Sequence, residues 1–233
     1  MCIAAEVDGD GDGDAVILAG SAEPVLDATG ADVLVIAAGS SVAVVEAAEV
    51  AIESQPAYDA TRSLATVSFA LARARRLDVP AEPVRDGRDL QRALLAAESV
   101  GAADACLQMA REYAIDRHAF GRAIGSYQAI KHKLVEMMRR IEGARSLLVG
   151  AGRGWAEDRD GFALAANAAR VLAADALDYA APENIFIHGG VGATWEHDAQ
   201  LYYRRAELSR RLAGGVEAAA DDVAEELFAR MSA

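Results

Sequence analysis

Short β-rich apolar runs occupy the chain up to about residue 80, and long helical stripes follow. Val33–Ile36 and Val42–Val45 are rich in β-branched residues, and Gly39-Ser40-Ser41 between them predicts a hairpin connection. Val50-Ala51-Ile52 and Ala65–Phe69 predict two further strands. Pro80 and Pro83 then interrupt regular structure, which predicts a boundary with a small β domain over residues 1–85 and a helical domain over residues 86–233. Beyond it, Ile130, Leu134, Met137, Ile141, Ala144 and Leu148 recur at spacings of four and three, the apolar stripe of one helix. Ala165, Ala168, Leu172, Ala176 and Tyr179 form a second stripe, and Val216, Ala220, Val223 and Leu227 a third. Leu90 to Tyr113 is apolar and Ala-rich enough for a fourth helix. Long antiparallel helices with one apolar face each pack as a bundle. The expected fold class is therefore α+β, mostly α, with a β region followed by a four-helix bundle.

Composition narrows the function classes. The 233 residues are 53% hydrophobic and 25% charged, ordinary for a soluble chain of one or two domains. A net charge of -13 repels phosphate backbones and anionic lipid, so neither nucleic acid nor membrane is expected as a partner. The excess is local: residues 1–61 hold twelve acids and no Lys or Arg. The longest apolar run, between Asp32 and Glu46, is shorter than the ~20 residues of a membrane span. The N-terminus is acidic rather than basic and apolar, unlike a secretory signal. Cys2 and Cys106 have no partner at motif spacing, which removes a disulfide framework and a Cys-based zinc site. A cytoplasmic location is the expectation.

Four features carry candidate chemistry. Asp8 to Asp14 begins like a calcium loop, but position 12, which needs a bidentate carboxylate, is Ala19, so a solvated turn is preferred. Among His118, His132, His188 and His197 no pair stands at i, i+4 with a glutamate between, and no metal site is expected. Ile185–Gly192 reads as a connection between helices, with Gly189, Gly190 and Gly192 permitting positive φ and close approach of a ligand. Amides there, ahead of a helix starting near Thr194, suit an anion such as a pyrophosphate; a plain turn is the competing reading. Arg117–Gln128 is a second connection, where Arg117 suits a phosphate and Phe120 a planar ring. The competing reading there is a basic helix C-terminus followed by a hydrophobic loop anchor.

Together these two segments resemble the acyl-CoA dehydrogenase family. The resemblance rests on Ala110-Arg111-Glu112-Tyr113-Ala114-Ile115-Asp116-Arg117-His118-Ala119-Phe120-Gly121 through Gln128, and on His188-Gly189-Gly190-Val191-Gly192-Ala193-Thr194-Trp195-Glu196 followed by Leu201-Tyr202-Tyr203-Arg204-Arg205-Ala206. Asp59-Ala60-Thr61-Arg62 resembles the end of the family's middle β domain. The resemblance implies a truncated middle β domain followed by the family's C-terminal four-helix bundle. It also implies FAD at a subunit interface, with Arg117 on the pyrophosphate, Phe120, Ile124 and Gln128 on the adenosine and ribityl region, and Gly189 and Gly190 approaching through backbone amides. Phe186 stands where the family commonly places a Gln on the cofactor.

Departures from the family concern the chemistry. Desaturation of an acyl thioester at Cα–Cβ needs a carboxylate for the α-proton. The two positions at which family members carry that glutamate are Ala213 and Gln91 here, so no catalytic residue is assigned to the chain. Glu98 and Glu196 are the substitutes, Glu98 two turns from the family position and Glu196 better suited to starting a helix. The resemblance thus points to the flavin-completing subunit of an α2β2 acyl-CoA dehydrogenase acting on a bulky thioester such as a steroid side-chain acyl-CoA. A full-length partner subunit would hold most of the substrate, and electron-transfer flavoprotein would be the acceptor. A homomeric flavoprotein using Glu98 and a flavin-free structural bundle are the alternatives.

Overall fold

The computed structural model describes residues 15–38, 41–157 and 159–232. The acidic Asp8–Asp14 loop, Cys2 and most of the Gly39-Ser40-Ser41 connection lie outside these residues. Two compact units divide the chain between Gly87 and Arg88.

The first unit is one antiparallel sheet of β1 (Ala15–Leu26), β2 (Val33–Ala38), β3 (Ser41–Glu46), β4 (Ala51–Gln55) and β5 (Leu64–Leu77). The order is β1-β5-β3-β2, with β4 also paired to β5. The hairpin read from sequence is β2–β3, in register from Val33↔Glu46 to Ala38↔Ser41. Along β5 beyond Leu64 the buried positions are odd-numbered at Ala65, Val67 and Phe69, then even-numbered at Ala72 and Ala74. The switch falls at Leu71, which has φ 59 and sits at the register shift between Leu18↔Ala72 and Ala19↔Ala70. One extra residue flips the alternation, so a bulge keeps both halves of this long strand facing the same core.

The second unit is helical: α1 (Ala81–Asp116), most of which belongs to it, α2 (Gln128–Glu157), α3 (Arg159–His188), the short α4 (Ala199–Ser209) and α5 (Gly215–Met231). A two-stranded hairpin, β6 (His118–Ala119) with β7 (Arg122–Ala123), links α1 to α2. The α2 stripe is as the spacing predicts, with Met137, Ile141 and Ala144 buried and Ile130, Leu134 and Leu148 packed against the same core. The α3 stripe is matched only in part, by the buried Ala176 and by Tyr179 packed on the same core. Phe162, Ala166, Ala169, Ala173, Leu177 and Ala180 are buried, whereas Leu172 is 40% exposed. α3 touches α2, α4 and α5, so its smallest residues take the closest contacts and the larger Leu172 turns outward. The α5 stripe is likewise displaced: Gly215 and Ala219 are buried, and Leu227 is exposed. Among the described residues, no helix is long and apolar enough to cross a membrane.

The α2–α3 contact is tightest at Gly154, where a Cβ would stand 2.9 Å from the Phe162 Cα. Gly154→Ala is expected to lower the unfolding free energy by about 1–3 kcal/mol through overpacking against backbone. Gly143→Ala, on the exposed face of α2 with nothing within 4 Å of its added methyl, is expected to raise it by about 0.5–1 kcal/mol. Urea unfolding of both variants checks the pair; equal effects would place the helix contact elsewhere.

Candidate cofactor-binding site

The antiparallel run of α1, α2 and α3 brings the C-terminus of α1, the N-terminus of α2 and the C-terminus of α3 to one end of the bundle. At that end Phe120 and Gly121 form the tip of the β6–β7 hairpin, with φ 54 and 81. Two successive positive φ values are what a tight hairpin turn requires. Glycine adopts them at no steric cost, but phenylalanine is strained there. Phe120 is also 98% exposed, which overturns the reading of it as a loop anchor. The hairpin is held by other groups. Ile124 N donates to Arg117 O at 2.8 Å, Tyr127 Oη donates to Ala119 O at 3.0 Å, and the Arg122 guanidinium lies 4.1 Å over the Tyr127 ring. Gly125 sits so close to α1 that a Cβ would come within 2.8 Å of Ala114 O. Ile124 packs half-buried on the bundle core, and Gln128 opens α2 exposed. Arg117 is exposed, and among the described residues its guanidinium has no hydrogen-bond or ion-pair partner.

α3 continues through Ile185–His188, which the sequence places in a connection. It stops only at Gly189, whose φ of +66 starts a 3-10 turn over Gly189–Ala193. The helix expected near Thr194 begins at Ala199, and Glu196 lies ahead of it instead of starting it. Thr194 explains the delay: its amide and hydroxyl both donate to Val191 O, at 3.1 and 2.8 Å, closing the turn behind it. Gly192 is packed so that a Cβ would meet the His188 Cβ at 2.8 Å, while Gly189 and Gly190 face open space with nothing within 4 Å. Phe186 is exposed, with Lys133 Nζ 4.3 Å from its ring centroid and paired at 2.5 Å to Glu183. The two connections are joined by a stack: Tyr113 at the end of α1 lies 4.4 Å from the His188 ring, and His188 lies 4.3 Å from His197. His188 is buried, its Nδ1 is 2.8 Å from Asn184 O, and burial pushes its pKa below the usual histidine value.

The other candidate positions lie at the far end of α1. Gln91 is exposed, and Ala213 occupies a 3-10 turn (Leu212–Gly214) with φ 55, followed by Gly214 and Gly215, both with φ 86. Arg92 and Asp116, the last residue of α1 before Arg117, are 24 residues apart along that helix, ~36 Å at 1.5 Å per residue. Glu98 is ion-paired with Arg205 of α4, which opposes its use as a base.

Sequence reasoning missed a buried polar knot beside Ala213. Arg92 donates to Asn167 Oδ1 at 2.5 Å and to Asp222, and its Nε reaches Ala213 O at 3.5 Å. Asn167 Nδ2 in turn donates to Asp89 Oδ1 at 2.9 Å. Burial holds the Asp89 carboxyl above its usual range, with Asn167, Arg88 and Arg92 opposing that rise. Arg170 is buried as well, with Nη2 donating to Ser209 O at 2.5 Å, and desolvation lowers its pKa. The available signal was polar pairs at i, i+3, Asp89/Arg92 and Asn167/Arg170, inside otherwise apolar helices. No group of three or more metal-ligating side chains occurs among the described residues.

Residues 85–228 match the family model described as acyl-CoA dehydrogenase, C-terminal domain. Over 119 residues the chain is 44% identical to the acyl-CoA dehydrogenase IpdE2 of Mycobacterium tuberculosis, which covers 51% of this chain and 36% of that protein. It is 40% identical over 169 residues to the acyl-CoA dehydrogenase FadE34 of the same organism, covering 72% of this chain and 23% of that protein. The chain thus spans well under two thirds of the relatives it matches. The solved Tcur3481-Tcur3483 steroid ACAD variant shares the fold, with a TM-score of 0.86 and 23% identity over 96% of this chain and 62% of that one.

Because His188 is buried and its folded-state pKa is depressed, its neutral form is the stabilising one. That stability is present above the unfolded histidine value and is lost as pH falls through the folded value. The unfolding free energy is expected to decline between pH 7 and pH 5.5, and His188→Phe, which keeps a ring against Tyr113, is expected to flatten that decline. Denaturant titrations at the two pH values measure it; an equal slope in the variant would contradict the assignment.

Proposed function

The chain belongs to the acyl-CoA dehydrogenase family, and from that premise we propose that it is a cytoplasmic subunit completing the flavin site of a heterotetrameric acyl-CoA dehydrogenase. The reading is carried by the β6–β7 tip, an uncovered Phe120 in a strained turn beside an Arg117 guanidinium with no partner among the described residues. Alone, such a tip exposes an aromatic ring to water. It becomes favourable when a planar ring or a neighbouring chain covers Phe120 and an anion meets Arg117.

The residues present fit FAD. Arg117 would hold the pyrophosphate, Phe120, Ile124 and Gln128 would line the adenosine and ribityl region, and Gly189 and Gly190 would admit close backbone approach. Phe186 is the one departure, offering a ring under Lys133 in place of an amide. FAD, when bound, supplies the hydride acceptor for desaturating a CoA thioester at Cα–Cβ.

The base and most of the acyl-CoA contacts belong, in this reading, to a full-length acyl-CoA dehydrogenase subunit in an α2β2 assembly, with electron-transfer flavoprotein as acceptor. Two features support that division. Neither Gln91 nor Ala213 can take a proton, and Glu98 is engaged by Arg205. The proposed substrate carries a bulky acyl group, of the steroid kind that the name of the solved variant records.

The chain purified alone is expected to be colourless, and its co-expression with a full-length acyl-CoA dehydrogenase to yield a yellow, active complex. Arg117→Ala is expected to weaken FAD binding by the complex about tenfold or more, the scale of one charge-assisted hydrogen bond, without changing subunit masses. Flavin absorbance and acyl-CoA oxidation by the chain alone would overturn the division of labour. Unchanged FAD content in Arg117→Ala would overturn the flavin contact and favour a flavin-free bundle.

A further inference from the structure

Arg170 of α3 is fully buried, and only part of its guanidinium is used within the chain. Nη2 donates at 2.5 Å to the carbonyl of Ser209, the last residue of α4. A helix leaves its last carbonyls without intrahelical donors, and a guanidinium can close one. The other two nitrogens, Nε and Nη1, are also buried and have no hydrogen-bond partner among the described residues. Buried donors are rarely left so, because each loses its hydration without replacement, and a charged donor loses most. Arginine does not shed its proton to escape that cost. Two hydroxyls lie beside it. Ser209 Oγ, on the residue whose carbonyl binds Nη2, is 3.4 Å from Ser99 Oγ of α1, and both serines are buried. One hydrogen bond between them uses a single lone pair, so acceptor capacity is left on both oxygens.

We infer that Arg170 holds a buried water molecule, which accepts from Nε or Nη1 and donates to the Ser99 or Ser209 hydroxyl. The guanidinium and the two hydroxyls supply the ~2–4 polar partners that a buried water takes. A small anion would match the donors equally well, but the surrounding field opposes it. The charged groups that act on Arg170 are Asp178, Glu98 and Glu217 against Arg92 alone, and none of the carboxylates bonds Nε or Nη1. They offset the guanidinium charge at longer range, where they would repel an anion but not a neutral dipole. The water turns one contact into a joint between three helices. Arg170 reaches α4 directly through Ser209 O, and α1 through the water and Ser99. That joint stands at the start of the turn whose far end Arg92 holds at Ala213 O. It is a property of this chain alone and does not depend on the flavin reading.

A crystal structure of the full chain, alone or in its complex, is expected to show an ordered water within about 3.2 Å of Arg170 Nε or Nη1 and of the Ser99 or Ser209 hydroxyl. Soaking the crystals in bromide is expected to leave that position without anomalous signal. In solution, the Arg170 Nε proton, assigned by its loss in Arg170→Lys, is expected to show an NOE to water with the sign of a long-lived bound molecule. The crystallographic result decides the matter if the Lys variant does not fold. A bromide peak at the site would identify an anion and overturn the inference. A dry site with chain atoms closed onto Nε and Nη1, or a wild-type Nε proton without that NOE, would overturn it as well.

Discussion

A guanidinium buried inside a helical bundle must find acceptors there, and Arg92 finds them on three elements. It is 2% exposed and binds Asn167 of α3, Asp222 of α5 and the carbonyl of Ala213 in the turn before α5. Asp89, one turn earlier on α1, closes the set through Asn167. Breaking such a knot would leave a charge uncompensated, so the helices are held to one relative register. That constraint matters in this bundle because its interior is largely alanine, from Ala96 and Ala103 on α1 to Ala169, Ala173 and Ala180 on α3. Smooth, small-residue surfaces allow close approach but select an axial position poorly. The polar knot supplies the selection that shape does not.

The same constraint explains how the two ends of the bundle differ. At one end the Arg92 guanidinium has acceptors within the chain, and the Ala213 turn is fixed in a left-handed conformation. At the opposite end the order is just as high, through the Tyr113–His188–His197 stack and the bond from Tyr127 to Ala119 O, yet chemistry is left over. Arg117, Phe120 and the backbone of Gly189 and Gly190 are presented on a rigid support without being used by it. In the proposed reading, the knotted end keeps the subunit folded and the presenting end serves a neighbour.

Much of this was legible in the sequence, and the misses share a physical cause. The α2 stripe was readable because Met137, Ile141 and Leu134 are large and their neighbours charged. On α3 and α5, alanine stands on nearly every face, so the period is visible but the phase is not, and the buried sides lie one position away from the predicted ones. The Arg117–Gln128 and Gly189–Gly192 segments were found from residue type, but not that Phe120 stands uncovered, because exposure depends on how the hairpin docks. The knot went unread because each member belongs to a different helix, and only packing brings Asp89, Arg92, Asn167 and Asp222 together.

The central claim is that the β6–β7 tip is built to enter a neighbour's flavin pocket. Placing the photo-crosslinking residue benzoylphenylalanine at position 120 and irradiating the co-purified complex tests it most directly. The account predicts a crosslink to the acyl-CoA dehydrogenase partner, mapping by mass spectrometry to its cofactor pocket and competed by added FAD. Crosslinking confined to this chain's own residues, or none beyond solvent quenching, would contradict it.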